Sequence, residues 1–238
     1  MMRSMGQTTA GLEGRSLVVV DLLKLALADV PVDDAWLHPH ELEVQGTLRF
    51  PKRRSDWRLG RYTAKRALAR RLDLRLRDIE VRAATDGAPE AFNQGRPLSV
   101  ALSISHSGED GLAAVAEAGT ALGCDIETVE RRPDVFVQDF FTSAERLLVG
   151  HATLSDRDAL VTTIWSAKES ALKAMRDGLR ADTRDVEVRF PARIRAGWTL
   201  FEVWSATTMV RGWAASRDQT VITVVADPAP SIPYVVAP

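Results

Sequence analysis

The sequence predicts an α+β fold built from two similar units, each a helix packed on a sheet. Helical patterns cover residues 55–72 and 156–176, and runs of alternating or continuously apolar residues typical of strands accompany each of them. The 238 residues are 45% hydrophobic and 26% charged, which is an ordinary globular composition. The order of elements predicts subdomains over residues 16–119 and 120–238, after a flexible leader over residues 1–15.

In the first unit, strands are predicted over residues 16–23 and 79–83. The helix between them is expected to begin at Ser55 or Asp56, since both residue types are good N-caps. Three β-like runs follow, separated by glycine-containing turns: residues 100–105, 111–116 and 121–127. These three runs are expected to form an antiparallel meander.

In the second unit, a short helix precedes the long one, because Thr142 and Glu145 have the spacing of a capping box. Further strands are predicted over residues 186–190, 198–204, 208–216 and 220–226. A proline-rich tail begins at Asp227.

The single cysteine, Cys124, excludes an internal disulfide and fits a reducing compartment. The sequence has no apolar run close to the roughly 18 to 20 residues that span a membrane. We therefore expect a soluble cytoplasmic protein without a membrane partner.

Charge is unevenly distributed along the chain. Between Arg49 and Arg82, thirteen Arg and Lys residues stand against four Asp and Glu residues, whereas the whole chain carries a net charge of -1. Arg58, Arg61 and Lys65 share one helix face, where a diphosphate would relieve their repulsion. A solvated helix face explains the charge equally well.

Two acidic residues lie in the third β-like run. Asp125 and Glu127 are two apart, so their side chains emerge on the same face of a strand. Oxygen ligands of this kind favour magnesium or calcium, and magnesium commonly binds one or two carboxylates together with phosphates. An exposed acidic strand face is the alternative.

The long helix adds three charged residues. Lys168 falls inside the apolar arc, while Glu169 and Lys173 line its edge, where the helix meets the rest of the protein. Glu169 and Lys173 could also form an ordinary i,i+4 surface pair. His106 follows Ser103 and Ser105 in a polar segment that could approach a phosphate or simply hydrogen-bond its own loop.

Five motifs together resemble a known family. They are Gly95-Arg-Pro, Ser103-Ile-Ser-His-Ser-Gly, Gly123-Cys-Asp-Ile-Glu, Phe140-Phe-Thr-Ser-Ala-Glu and Trp165-Ser-Ala-Lys-Glu-Ser-Ala-Leu-Lys. These motifs follow one another in the order, and at about the separations, found in the surfactin-type 4′-phosphopantetheinyl transferases. The resemblance extends from about residue 50 to residue 190. The resemblance implies a monomer of two pseudo-twofold α+β subdomains with coenzyme A and magnesium in the cleft between them.

The resemblance also implies roles for individual residues. Asp125, Glu127 and Glu169 would bind magnesium, Lys173 would lie beside the reacting phosphate, and Lys168 would support the phosphates. Further coenzyme A contacts are expected from Ser105, His106, Arg96, Arg53, Arg58, Arg61 and Lys65. The sequence departs from the family after Lys173, where Arg176 stands at one of two expected glycines and only Gly178 remains.

The implied reaction is magnesium-dependent transfer of 4′-phosphopantetheine from coenzyme A to a serine of an acyl or peptidyl carrier protein. Asp125, Glu169 and Lys173 are the expected catalytic residues, with Glu169 as the base for the serine hydroxyl. Phe136, Phe140 and Phe141 are candidates for docking the carrier. A magnesium-dependent phosphodiesterase or nuclease is the main alternative, and an inactive coenzyme A-binding module is a third. The preferred interpretation includes no nucleic acid partner.

Overall fold

The computed structural model describes residues 17–176 and 182–236, and its mixture of helices and sheets confirms the α+β class. The predicted leader over residues 1–15 and the expected glycine at Gly178 lie outside the described residues. None of the helices in the described ranges is long and apolar enough to cross a membrane.

The first half, residues 17–119, carries the basic helix. Its elements in chain order are β1 (Asp21–Ala26), α1 (Pro39–Thr47), α2 (Pro51–Leu72), β2 (Ile79–Ala83), β3 (Pro89–Asn93), β4 (Arg96–Pro97), β5 (Val100–Ser107) and β6 (Asp110–Glu117).

The second half, residues 120–236, carries the acidic strand and the long helix. Its elements are β7 (Ala121–Thr128), α3 (Asp134–Phe140), α4 (Ser143–Gly150), α5 (Arg157–Ala174), β8 (Glu187–Arg189), β9 (Ile194–Arg195), β10 (Trp198–Trp204), β11 (Met209–Arg217), β12 (Thr220–Asp227) and β13 (Tyr234–Val236).

The strands form separate sheets in the two halves. The first half has a sheet in the order β13-β1-β6-β5 and a smaller one in the order β2-β3-β4. The second half has the order β7-β12-β11-β10-β8, with β9 paired to β10. Because β13 runs parallel to β1, the end of the chain joins the sheet of the first half. The subdomain boundary near residue 119 stays a prediction.

Three predictions about elements are wrong. The third β-like run does not continue a meander, because β7 pairs antiparallel with β12 of the second sheet. Helix α2 begins at Pro51, not after Ser55, since proline suits the first helical turn and Phe50 takes the N-cap position. The first strand lies later than residues 16–23, at β1, and Val18 forms only an isolated bridge with Pro230.

Each main helix packs its apolar face on the sheet of its own half. Helix α5 buries Ile164 and Ala171 in a core that also contains Phe201 of β10. Helix α2 buries Leu68 in a core that contains Val115 of β6. Helix α5 also packs against β7, the strand at the edge of the second sheet.

The same buried ion pair occurs once in each half. Lys65 of α2 contacts Glu41 of α1 at 2.5 Å, and Lys168 of α5 contacts Glu145 of α4 at 2.8 Å. All four side chains are at most 2% exposed. The spacing of the two lysines from their glutamates is nearly equal, which supports the predicted similarity of the two halves.

Each glutamate of these pairs also joins its helix to an edge strand. Glu41 accepts a hydrogen bond from the backbone of Val81 at 3.0 Å, and Glu145 accepts one from Val188 at 2.7 Å. Both glutamates stand at the third position of a helix and complete a capping box, as predicted for Glu145. A buried glutamate therefore fastens a short helix, a long helix and a strand in each half.

Replacing Lys168 by methionine should lower the free energy of unfolding by about 3 to 5 kcal/mol, because it leaves the buried Glu145 without its cation. Urea denaturation of the variant and the wild type measures this difference. Lys52→Met is the matched control. Lys52 forms an exposed pair with Asp56, so its loss should change stability by less than about 1 kcal/mol. Equal denaturation midpoints for Lys168→Met and wild type would contradict the structural role.

Candidate active site

The two halves meet where β5 lies beside β7, and serine side chains make the connection. The hydroxyl of Ser103 accepts a hydrogen bond from the backbone of Cys124 at 3.0 Å. Two residues on, Ser105 donates to Asp125 Oδ1 at 2.7 Å, and Ser107 accepts from the backbone of Thr128 at 3.3 Å. These alternate residues of β5 point to β7, because side chains two apart share one face of a strand. The site is therefore built on the junction of the halves.

On its other side, β7 is pressed against α5. A Cβ atom at Gly123 would lie 1.8 Å from the carbonyl oxygen of Ser170, a distance that no side chain could tolerate. Gly123 therefore permits a close approach of the two backbones. This approach places the acidic strand beside the edge of α5 that carries Glu169 and Lys173.

Asp125 is the most enclosed of the three predicted metal ligands, at 4% exposure. Its Oδ1 accepts hydrogen bonds from Ser105 and from Lys173, whose Nζ lies 2.8 Å away. Its Oδ2 is buried and has no hydrogen-bond partner. One oxygen of this carboxylate is thus available to a ligand.

Glu127 is held by two residues of the second half. Its Oε1 accepts from Trp165 Nε1 at 3.1 Å, and its Oε2 lies 3.3 Å from a nitrogen of Arg132. Burial and the charge of Asp125 raise the pKa of Glu127 above its ordinary value, although Arg132 and Trp165 oppose the shift.

Glu169 completes the acidic group. Its Oε1 is buried without a partner. Burial raises the pKa of Glu169; Lys173 opposes this shift, while the charges of Asp125 and Glu127 add to it. Among the described residues, the buried carboxylate oxygens without a hydrogen-bond partner are Asp125 Oδ2 and Glu169 Oε1. Both belong to this site.

The carboxylates of Asp125, Glu127 and Glu169 are neighbours, but their oxygens are not all within 4.8 Å of one another. In the described part of the chain, the group of three ligand atoms that lie within 4.8 Å of one another is formed by His38, His40 and Glu80. Glu80 already receives a hydrogen bond from Arg82 at 2.6 Å, so that group lies in a basic setting. Asp125 and Glu169 each have an open carboxylate oxygen, which is the type of donor that suits a divalent cation.

Lys173 is the cation nearest to Asp125. Its Nζ also donates to the carbonyl of Cys124 and to Ser105, each at 3.1 Å. Burial by itself lowers the pKa of Lys173, but the charge of Asp125 and their hydrogen bond raise it above the ordinary value. The amine is therefore held as an ammonium at the junction of the halves.

The basic face of α2 is used largely within the first half, which corrects two predictions. Lys65 is fully buried in its pair with Glu41. Arg58 forms a close ion pair with Asp34 and donates to the carbonyl of Pro31 at 2.5 Å. Lys65 is therefore closed off from coenzyme A, and the guanidinium of Arg58 is already engaged by the loop before α1.

The remaining basic candidates are differently placed. The guanidinium of Arg61 lies over the ring of Trp57 at 5.1 Å, and burial lowers the pKa of Arg61. Arg53 is exposed in the first turn of α2, and Arg96 is exposed on β4. Arg53, Arg61 and Arg96 stay predictions.

Lys168 is not a phosphate-binding residue. Besides Glu145, its Nζ donates to the carbonyl oxygens of Thr183 and Val186 at 2.7 and 2.8 Å. Full burial leaves no open side of the ammonium for a substrate. The apolar arc in which the sequence placed Lys168 is simply the buried face of α5.

Ser105 and His106 do not share a phosphate-binding turn. Strand β5 continues to Ser107, so the two side chains point to opposite faces. Ser105 is 8% exposed and binds Asp125. His106 is exposed and lies on the same face as Ile104. His106 can still meet an anion, whereas the hydroxyl of Ser105 belongs to the acidic site.

Two contributors to the site escaped prediction from the sequence. Arg132 holds Glu127 and stacks on Phe136 at 4.7 Å from its ring centroid. Trp165 also binds Glu127, and its position one helical turn before Glu169 was the available signal. Arg132 lies in the loop that follows β7, five residues after Glu127, and this proximity in sequence was the available signal.

The three phenylalanines proposed for carrier docking have unequal exposure. Phe141 is fully buried in the core of the second half. Phe136 is partly buried and lies 5.0 Å from the ring of Trp165, while Phe140 is 37% exposed. Of the three, Phe140 offers the most accessible apolar surface, and Phe141 offers none.

Comparisons with known proteins identify the second half. A family model described as the 4′-phosphopantetheinyl transferase superfamily matches residues 121–223. The matched range contains Asp125, Glu127, Glu169 and Lys173. The chain matches no curated protein sequence.

Two solved structures are similar to part of the chain. A holo-(acyl-carrier-protein) synthase from Bacillus anthracis strain Ames, in complex with CoA (3′,5′-ADP), is 25% identical and has a TM-score of 0.37. The alignment covers 44% of this chain and 100% of that one. Thermotoga maritima holo-[acyl-carrier-protein] synthase is 22% identical with a TM-score of 0.35, and the alignment covers 44% of this chain and 61% of that one. Similarities with such low TM-scores support no argument about the site.

The family match and the motifs agree over the segment that carries the acids. The resemblance is confirmed at the level of the superfamily, and the surfactin-type subdivision stays a prediction. Residues 121–223 of this chain thus match the model of the 4′-phosphopantetheinyl transferase superfamily.

Proposed function

We propose that this protein transfers 4′-phosphopantetheine from coenzyme A to a serine of an acyl or peptidyl carrier protein, releasing 3′,5′-ADP. The observation that carries the proposal is the pair of buried, unpartnered oxygens on Asp125 and Glu169, within the segment that matches the superfamily. Fatty-acid, polyketide and nonribosomal-peptide carriers all fit this chemistry. The monomeric state and the cytoplasmic location stay predictions.

Asp125, Glu127 and Glu169 would hold a magnesium ion. Their oxygen donors suit a hard cation, and burial, with a smaller contribution from the neighbouring acids, raises the pKa values of Glu127 and Glu169 in the absence of one. When bound, magnesium would offset the negative charge of the diphosphate in the transition state.

The transfer exchanges one phosphorus–oxygen bond for another. The carrier serine Oγ forms a bond to the pantetheine-side phosphorus, while the bond from that phosphorus to the bridging oxygen breaks. The bridging oxygen leaves with 3′,5′-ADP, and the serine proton passes to a base. Glu169 is our candidate for this base, directly or through a water, because burial raises its affinity for a proton.

Lys173 supplies fixed positive charge next to the reacting phosphate. The ammonium is positioned by Ser105, Cys124 and Asp125 before any substrate enters. Charge that is already oriented in a partly desolvated cleft stabilises a transition state without further reorganisation. Ser105 links this lysine to the first half, so closure of the cleft and placement of the charge depend on the same contact.

A direct assay tests the transfer. Apo-carrier incubated with coenzyme A, magnesium and the wild-type protein should gain the mass of one phosphopantetheine. Glu169→Gln should still bind coenzyme A, measured by calorimetry, yet modify the carrier about 10²- to 10⁴-fold more slowly, because it cannot accept the serine proton. The exposed Glu117 of β6 provides the control Glu117→Gln, which should retain the wild-type rate.

The other outcomes of this assay separate the alternatives. An unchanged rate in Glu169→Gln would remove Glu169 from the role of base. Cleavage of DNA or RNA without any gain in carrier mass would favour a nuclease. Stabilisation by coenzyme A without a product from any of a panel of apo-carriers would favour an inactive binding module.

The effect of magnesium on stability should grow with pH. Because the pKa values of Glu127 and Glu169 are raised by folding, the metal-free protein binds more protons than the unfolded chain above the ordinary glutamate pKa of about 4.3. Their contribution to stability is therefore present at low pH and lost as the pH rises through the raised values. Magnesium, which binds the ionised carboxylates, should restore it.

Thermal unfolding with and without magnesium, from about pH 4.5 to about pH 8, measures this effect. We expect little increase in unfolding temperature at the lowest pH and the largest increase at the highest. The pH-dependent part should shrink in Glu127→Gln and persist in Glu117→Gln. The same magnesium effect at every pH would contradict this account of the site.

A further inference from the structure

A cavity of about 490 Å³ opens between the halves beside the acidic site. Its walls are largely apolar and include Val100, Leu102 and Leu122. Lys173 lines the side of the cavity nearest the acids. Asp86 and Arg176, which are both partly exposed, line its solvent side. The volume lies within the range of about 300 to 1,000 Å³ that is typical of small-molecule sites.

The register of the junction shows which part of a substrate would lie in this cavity. Strands β5 and β7 run side by side in the same direction, because Ser103 meets Cys124 and Ser107 meets Thr128. The cavity lies at the starting ends of both strands, and Asp125 lies farther along them. A diphosphate at Asp125 and Lys173 would therefore send one of its two substituents into the cavity and the other towards Ser107.

The lining of the cavity favours the pantetheine arm over the nucleotide. Pantetheine is an uncharged chain with alkyl and amide groups, whereas the adenosine carries a 3′-phosphate with two negative charges. The guanidinium of Arg176, which also lines the cavity, is already engaged by Asp86 and Glu90 and is not open to that phosphate. An apolar wall with a few polar groups suits the arm.

An ion pair joins the two halves at the exposed side of the cavity. Arg176 follows the end of α5 and contacts Asp86, in the turn between β2 and β3, through two nitrogens at 2.6 and 3.1 Å. A second acid of the first half, Glu90, lies 3.5 Å away. A guanidinium engaged through two nitrogens is held in a fixed orientation. The pair thus forms a bridge from α5 to the first half at the rim of the cavity.

The backbone at Arg176 has a conformation that is uncommon for a residue with a side chain. Its φ of 61° lies in the left-handed region, which glycine adopts most readily. The resemblance described above places a glycine at this position. An arginine in this conformation is therefore a feature of this chain that the general reaction does not require.

We propose that the Arg176–Asp86 ion pair closes the outer end of the pantetheine cavity and thereby makes the enzyme select free coenzyme A over long-chain acyl-CoA. This inference rests on the proposed function. Under this proposal, the thiol end of the arm lies on the inner side of the bridge. An acyl chain on that thiol must pass the guanidinium, either by breaking the ion pair or by placing alkyl groups against charged ones.

The test compares coenzyme A with octanoyl-CoA in carrier modification by the full-length protein. Arg176→Ala should raise the ratio of kcat/KM for octanoyl-CoA to kcat/KM for coenzyme A by about tenfold over wild type. Asp86→Asn, which weakens the same bridge from the other half, should act in the same direction. Arg189→Ala is the control, because Arg189 has similar exposure and an ion pair with Glu187, away from the cavity; it should leave the ratio unchanged.

Equilibrium binding keeps this test independent of turnover. Calorimetry with magnesium should show tighter octanoyl-CoA binding in Arg176→Ala than in wild type, with binding of 3′,5′-ADP unchanged, since 3′,5′-ADP lacks the arm. Ala101→Phe, which fills the cavity wall, should weaken coenzyme A binding and spare 3′,5′-ADP. Unfolding temperatures confirm that each variant is folded.

Two results would overturn the proposal. One is a substrate ratio and octanoyl-CoA affinity in Arg176→Ala that equal those of wild type. The other is an equal loss of activity with both substrates, which would show that Arg176 binds the common part of coenzyme A. If the wild-type protein modifies no carrier at all, only the proposed function is contradicted. The binding measurements then still decide whether the Arg176–Asp86 ion pair limits the length of the chain that binds in the cavity.

Discussion

The architecture of this protein depends on the contact of one strand with both halves. Strand β7 pairs with β12 on one edge, is bound by the hydroxyls of β5 on the other, and lies against α5 at Gly123. Any side chain at Gly123 would push β7 away from α5 and carry Asp125 away from Lys173. The acids of the site, the ammonium and the junction of the halves are thus set by the same close approach. A backbone constraint, more than any single ion pair, positions the chemistry.

The distribution of positive charge has a structural reason in this chain. Lys65 and Lys168, at matching places in the two main helices, neutralise buried glutamates that also bind strand backbones. The excess of positive charge along α2 predicted an anionic ligand. Part of that charge instead neutralises a buried glutamate and stabilises the fold. The acids that receive these lysines lie about 24 residues away in sequence, on separate helices. Composition alone could not reveal such pairs.

Local patterns predicted local structure well. Strands β2 and β10 begin and end as the alternation indicated, and Thr142 with Glu145 forms the predicted capping box. The pairing of β7 with β12 could not be predicted in this way, because it joins segments about one hundred residues apart. Motif spacing brought Asp125, Glu127, Glu169 and Lys173 to one place, yet the direction of Lys168 and Ser105 depended on tertiary packing. The role of a side chain was predictable where its own helix or strand determines the face on which it lies. The prediction failed where the side chain binds a partner from a distant element.

The contrast between satisfied and unsatisfied charge identifies the site on physical grounds. Buried ionised groups are normally paired, because removing them from water without a partner is costly. In this chain, Lys168 has Glu145 and three carbonyl contacts, and Glu41 has a lysine and two backbone donors. By contrast, Asp125 Oδ2 and Glu169 Oε1 are buried without donors, and the Nε atoms of Arg61 and Arg132 are buried without acceptors. Under the proposed function, a cation and a phosphate that arrive with the substrate would satisfy these two carboxylate oxygens.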